Sequence, residues 1–287
     1  MSLGDLRNRY KMRHRKVDSA LRRQEENGQF EYLVSDSDRY LVISESDDSI
    51  LACRAPLQDP KIVETLTKFM SVISIQKRET KDKVTEVNRE DHSSSFYCVW
   101  ADSSLKPFVS KNTRVNSKTA EKFLSDNERL WQCMSNLLDE IAPTIYKKFL
   151  RFPLPEKLKR FCEAWAECVI NLGKNPVRTK IHRDVKEGKD EYSCLCACGN
   201  YKEGEIILYE LRLVIELKPE DMLLFPDGLI HHANRPVVGT RYSLVAFTRG
   251  NMLAYWKRKF GNKETKASKF KKVLKRSIVK RVCRQIK

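Results

Sequence analysis

Four residues in the second half of this chain have the types and spacing of a metal centre with an anion clamp. His182 and Asp184 are two apart. In an extended segment that spacing puts both side chains on one face, where imidazole and carboxylate converge on one ion. His232 follows forty-eight residues after Asp184, and Arg241 nine residues after His232, opening the apolar run Arg241 to Phe247. Two imidazoles and one carboxylate fill one face of an octahedral ion such as iron(II) and leave three positions for small molecules. A planar guanidinium offers the fork that grips a carboxylate. His231 competes with His232 for the distal position. As strand neighbours the two face opposite sides, so only one reaches the ion.

The elements that must hold these residues are short and mostly extended. WAECVINLG, VRTKIHRD, EYSCLCACG, GEIILYE, LRLVIEL, DMLLFPDG and TRYSLVAFT are rich in β-branched and aromatic residues and separated by Gly, Pro, Asn, Asp and Lys clusters, the pattern of an antiparallel sandwich or jelly roll. Helical spacing precedes them. Residues 60–75 open with Pro60, residues 117–141 carry Phe123, Leu130, Cys133, Met134, Leu137 and Leu138 behind Ser117 as a cap, and a further helical stretch around 144–162 is interrupted by Pro153 and Pro155. The expected class is α+β, a double-stranded β-helix backed by N-terminal helices and followed by a basic C-terminal helix.

Five motifs then carry a resemblance. They are the H-x-D at His182, the G-x-Y-x-x-G-E turn from Gly199 to Glu205, the P-x-D-x-L-x-F run from Pro219 to Phe225, the H-x-N-x-P from His232 to Pro236, and Arg241-Tyr242-Ser243. Over about residues 160–250 the chain resembles the Fe(II)- and 2-oxoglutarate-dependent dioxygenase superfamily, and is particularly similar to the fungal oxygenase domains grouped with the TET/JBP nucleic-acid oxygenases. The resemblance implies Fe(II) on His182, Asp184 and His232, with 2-oxoglutarate on Arg241. A proline four residues after the ligand, as Pro236 stands to His232, favours His232 over His231. Ser243 resembles a hydroxyl that helps hold the same carboxylate, and Arg178 a basic position that touches the co-substrate. Phe247 stands where TET-like relatives stack a ring on a flipped-out base, and Arg249 near a base-contacting position; a core place on the last strand is the competing role for Phe247. The implied substrate is a methylated nucleic-acid base, 5-methylcytosine or N6-methyladenine. A protein side-chain hydroxylase of the prolyl type, or a small-molecule hydroxylase, is the alternative.

Charge bears on that choice. The net charge is +17, but residues 1–23 contribute +6 and residues 251–287 contribute +13, leaving the body near neutral. Basic arms on a neutral body suit binding of a polyanion, with solubility or nuclear import as the competing role. Phe270, Val273, Leu274 and Ile278 line one side of a basic helix in the C-terminal arm, suited to docking on the body or on an anionic membrane surface. Nothing approaches the roughly 20 apolar residues of a membrane helix. The basic start has no apolar run behind it, so a nuclear or cytoplasmic location is expected, with its nine cysteines reduced. Cys194, Cys196 and Cys198 share a strand face too widely spaced for one zinc ion and read as core thiols. Expected domains are an N-terminal region at 1–110, an oxygenase domain at 111–250 and a basic tail at 251–287. The acidic 36–48 and polar 76–95 segments read as loops.

Overall fold

The computed structural model describes residues 27–36, 38–44, 47–57, 59–72, 92–100, 106–115, 117–151, 162–174, 177–184 and 191–264, with 23, 154 and 158. The arms at 1–22 and 265–287, with Phe270, Val273, Leu274 and Ile278, lie outside the described residues, as does most of the polar 76–95 segment.

One strand organises the rest. β12 (His232–Phe247) is sixteen residues long and is hydrogen-bonded along both edges. Its first residues, His232 to Asn234, lie between β9 (Ile206–Leu208) and β7 (Val177–His182). From Val237 onward it pairs with β8 (Ser193–Glu203), and from Thr240 onward with β6 (Glu167–Lys174) on the other edge. Register shifts against β7 fall between His232 and Asn234 and between Asn234 and Val237, so β12 bends from one curled half of the sheet into the other. The first half continues through β10 (Leu213–Ile215) to β1 (Glu31–Leu33), and the second through β11 (Asp221–Phe225) and β3 (Ile50–Pro56) to β2 (Tyr40–Ile43). β4 (His92–Trp100) extends the second half beyond β6 and pairs with the short β5 (Phe108–Val109). Two curled halves sharing one strand form the expected jelly roll.

Alternation along β8 shows how the layers stack. Cys194, Cys196 and Cys198 face a core shared with Leu66 and Met70 of α1 (Pro60–Val72), Phe123 of α3 (Ser117–Asp126), Trp131, Met134 and Leu138 of α4 (Glu128–Ile141) and Phe149 of α5 (Pro143–Arg151). Ala197 and Tyr201 face the space between the two halves, with Ile206, Leu223, Phe225 and Val237. The three thiols are therefore core residues, pushed up by burial, Cys198 to about 12. α2 (Lys111–Val115) leads into the helical layer, and α6 (Gly250–Glu264) leaves β12 and buries Met252 against Val99 and Ala166. No helix among the described residues is long and apolar enough to cross a membrane.

Three expectations need correction. The helix over 117–141 is two helices, because buried Asn127 sends both its backbone and side-chain N–H groups to the Phe123 carbonyl, at 3.2 and 2.8 Å, and ends the first. The tail does not begin at 251, since 250–264 is a helix with a buried face. Residue 110 is not a domain boundary either: β1, β2, β3 and β4 are strands of the same sheet as the site.

A buried charge cluster locks that N-terminal part in place. Arg54 on β3 donates from Nη2 to Asp221 on β11 and to Ser35, at 2.7 and 2.6 Å, with both ionic side chains almost fully buried. Ser35 Oγ and the Lys218 N–H donate to the other Asp221 oxygen, each at 2.7 Å. Removing one partner would strand the other charge, so Asp221→Ala should cost about 3 to 5 kcal/mol of stability. Urea denaturation with an unchanged m-value checks this; a loss under about 1 kcal/mol would mean the pair is screened as surface pairs are.

Candidate metal centre and anion pocket

His182 is the last residue of β7 and His232 the first of β12, and the two are direct cross-strand partners. Forty-nine residues of intervening chain thus close on a single pair, with ring centroids 4.3 Å apart. The next partners are Asn234 and Thr179, one residue out of simple register. That bulge in β7 lets Thr179 and His182, three apart, both face the same cavity. Thr179 is held by its N–H and hydroxyl on the Asn234 side-chain carbonyl, the former at 3.0 Å.

Asp184 follows the strand, and its backbone N–H donates to the Asp227 carbonyl at 3.2 Å. One ligand-type atom from each of His182, Asp184 and His232 lies within 4.8 Å of the others, and Asp184 Oδ2 is 3.6 Å from His232 Nε2. Cis donors of an octahedral ion sit about 3 Å apart when each is about 2.1 Å from it, so binding an ion would draw these atoms closer together. The tautomers also suit an ion. His182 Nδ1 meets the Lys180 carbonyl at 2.8 Å and His232 Nδ1 the Ile230 carbonyl at 3.0 Å. Each ring gives its Nδ1 proton to a carbonyl and presents the Nε2 lone pair. The donor set, two imidazoles and a carboxylate, fits divalent iron. Burial alone would lower the His232 pKa, but the Asp184 carboxylate beside it wins and raises it.

His231 turns the other way. It is buried, its ring Nδ1 pairs with Glu210, and its backbone N–H donates to the second Glu210 oxygen at 2.7 Å. The Tyr209 N–H takes the His231 carbonyl at 3.0 Å. His231 therefore fixes the strand that presents His232.

The cavity, about 100 Å3, runs from these residues to Arg241 and is also lined by Asn171, Ser193, Phe225 and Asp227. Arg241, Ser243 and Val245 supply one face of β12 to it. Arg241 is buried, and burial lowers its pKa. Its Nη1 donates to the Gly204 carbonyl at 2.6 Å and its guanidinium lies 5.7 Å from the Tyr201 ring centre. Among the described residues it forms no salt bridge, and Glu205 acts on it only at longer range. Gly204 has φ +79°, and a Cβ there would come within 2.5 Å of Val237 and 2.9 Å of Arg241 Nη1. The glycine of the G-x-Y-x-x-G-E motif is thus the residue that lets the guanidinium in.

Three expected site residues sit elsewhere. Arg178 is exposed, and its neighbour Thr179 takes the cavity-facing place. Phe247 is 3% exposed and does not line the cavity. Arg249 is buried in an ion pair with Glu167 at 2.9 Å and lies 5.8 Å from the Phe247 ring centre. Burial outweighs that arginine and pushes Glu167 up to about 8. The pair of residues expected to meet a base is, as placed here, core packing. Asp227 was not singled out in the sequence, because Pro226-Asp227-Gly228 reads as a turn. It is buried, and burial together with Asp184 pushes it up to about 7.

No protein-family model and no curated protein matches the chain. Among solved structures it is similar to NgTET1 in complex with 5mC DNA, with TM-score 0.58 and 16% identity over 88% of this chain and 92% of that one. An oxidoreductase of the 2OG-Fe(II) oxygenase family from Burkholderia pseudomallei gives 0.39 and 19% over 55% and 67%. OsALKBH1 gives 0.44 and 11% over 73% and 100%. The first of these shows that the chain has the jelly-roll fold of NgTET1.

Two substitutions separate the adjacent histidines. His232→Ala should abolish binding of Mn(II) or Co(II) measured by calorimetry, whereas His231→Ala should retain the ion and lower Tm, because it leaves Glu210 buried without its ring partner. The reverse pattern would assign the metal to His231.

Proposed function

We propose that this chain is an Fe(II)- and 2-oxoglutarate-dependent dioxygenase that oxidises a methylated nucleic-acid base. The observation that carries the reading is one cavity with a three-donor cluster and, at another part of its wall, a buried arginine that forms no salt bridge among the described residues. A short dicarboxylate bridges such a pair: its 2-oxo acid end belongs at the ion, and its distal carboxylate at the remaining N–H groups of Arg241. Ser243, on the same face of β12, adds a hydroxyl. Iron(II) held by His182, Asp184 and His232 would supply dioxygen chemistry, in which one oxygen atom goes to the succinate formed as 2-oxoglutarate loses carbon dioxide and the other enters a substrate C–H as hydroxyl. The chain contributes orientation of both ends of the co-substrate and a wall of Leu195, Ile206, Phe225, Val237 and Val245 that limits water.

The substrate class rests on different support. The motifs resemble TET/JBP-like oxygenases, NgTET1 has the same fold and was solved with 5mC DNA, and 22 of the 55 lysines and arginines fall in residues 1–23 and 251–287. Those arms suit a phosphate backbone. The placement of Phe247 and Arg249 lends no support to a base-stacking role, so contacts to a base would come from other residues. Nuclear or cytoplasmic residence is part of the same proposal.

Arg241→Ala should raise the 2-oxoglutarate requirement by a factor corresponding to about 2 to 5 kcal/mol, read as succinate formed against co-substrate concentration. The deciding experiment incubates iron-loaded protein with 2-oxoglutarate and methylated duplex DNA and analyses the nucleosides by mass spectrometry. Hydroxymethyl, formyl or carboxyl cytosine, or loss of N6-methyladenine, supports the proposal. Turnover of 2-oxoglutarate without base oxidation would move the substrate to a protein side chain or small molecule. Deleting residues 265–287 should flatten the log–log salt dependence of DNA affinity by about 0.9 per lost phosphate contact while leaving 2-oxoglutarate turnover intact; an unchanged slope would remove the tail from the interface.

A further inference from the structure

Beside the three proposed ligands stands a fourth carboxyl group that they leave unused. Asp227, in the turn after β11, is 3% exposed, yet it lines the cavity. Its side chain accepts a hydrogen bond from Ser193, while Oδ1 is buried with no hydrogen-bond partner. Its backbone carbonyl accepts the Asp184 N–H at 3.2 Å, so the turn that carries Asp227 also fixes the segment that carries Asp184. The side chain interacts electrostatically with both Asp184 and His232.

A buried carboxyl group with an open oxygen is costly, and a second carboxylate beside it raises the cost. Side chains packed only for stability do not stay in that arrangement: an asparagine would keep the Ser193 contact and the turn without the repulsion. The arrangement becomes favourable once a divalent cation sits among His182, Asp184 and His232, because one ion then offsets both acids. We propose that Asp227 is a positioning residue of the metal centre, a carboxylate outside the coordination shell that strengthens cation binding and orients Asp184. The inference rests on the metal reading above and adds a residue to it.

Asp227→Asn isolates the charge, since the backbone bond to Asp184 and the contact with Ser193 both survive the change. Affinity for Mn(II) or Co(II), measured by calorimetry without 2-oxoglutarate, should weaken about tenfold or more. The metal-free protein should have a Tm equal to or above that of the parent. The visible spectrum of the Co(II) form should keep the parent's band positions, because no ligand is lost. A parental cation affinity in Asp227→Asn overturns the inference while leaving the metal site standing. A changed Co(II) spectrum overturns it too, by making Asp227 a ligand. If the unsubstituted protein binds no divalent cation, both this inference and the proposed function fail, and the His232→Ala comparison has already shown it. Should Asp227→Asn not fold, Ser193→Ala frees the same carboxyl group from its holder. It should lower cation affinity at least twofold with the fold retained, and an unchanged affinity there counts against Asp227 equally.

Discussion

The hydrogen bonding of β12 along both edges is the constraint on which the site depends. A strand paired on one side can slip by a residue and turn every side chain over. A strand paired on both sides with four partners cannot slip without breaking all of them. His232 therefore meets His182 because the far part of the same strand is locked to β8 and β6 by continuous register. Arg241 lies on the stretch held between β8 and β6, so the distance between cation site and guanidinium is set by a single piece of backbone. The bulge in β7 and the turn after β11 then adjust the remaining donors to that fixed rail.

Buried charge is used repeatedly to hold this frame. Arg54 with Asp221 binds the N-terminal strands to β11, Glu167 with Arg249 ties β6 to the end of β12, and Glu210 with His231 fixes its start. Such pairs contribute little net stability over well-packed apolar residues, but each disfavours a wrong register, because misplacement leaves a buried polar or charged group without its partner. Specification of the strand order is the role they share, and all three stand on or beside strands that frame the cavity.

Much of this was legible in the sequence. The seven apolar runs from Trp165 onward became strands β6 to β12, since β-branched runs between turn residues carry their own local signal. The four candidate chemical residues came from types and spacing, and the fold brings them to one cavity. What was missed depended on long-range pairing. β1 and β3 lie in a stretch whose polar flanks hid them, and the pairings that tie them to β10 and β11 span more than 150 residues. Asp227 was hidden because a carboxylate between proline and glycine is locally a turn residue, and only burial beside Asp184 gives it another meaning. Phe247 and Arg249 show how spacing leaves a role open: their distance from Arg241 in the chain suits contact with a base or a place in the core, and Glu167, 82 residues before Arg249, holds the arginine in an ion pair.

β8 is a partition as well as a strand. Ser193 and Leu195 open onto the cavity, while Cys194, Cys196 and Cys198 on the reverse side look into the helical layer, joined there by Cys53. A thiol reacts with oxidants as its thiolate, and burial holds all four of these firmly in the protonated state. Under the proposed function, oxygen activation in that cavity would be separated by one thickness of backbone from sulfur that cannot readily be damaged. The durability of the protein over repeated turnover would come from the same alternation that gives the strand its two faces.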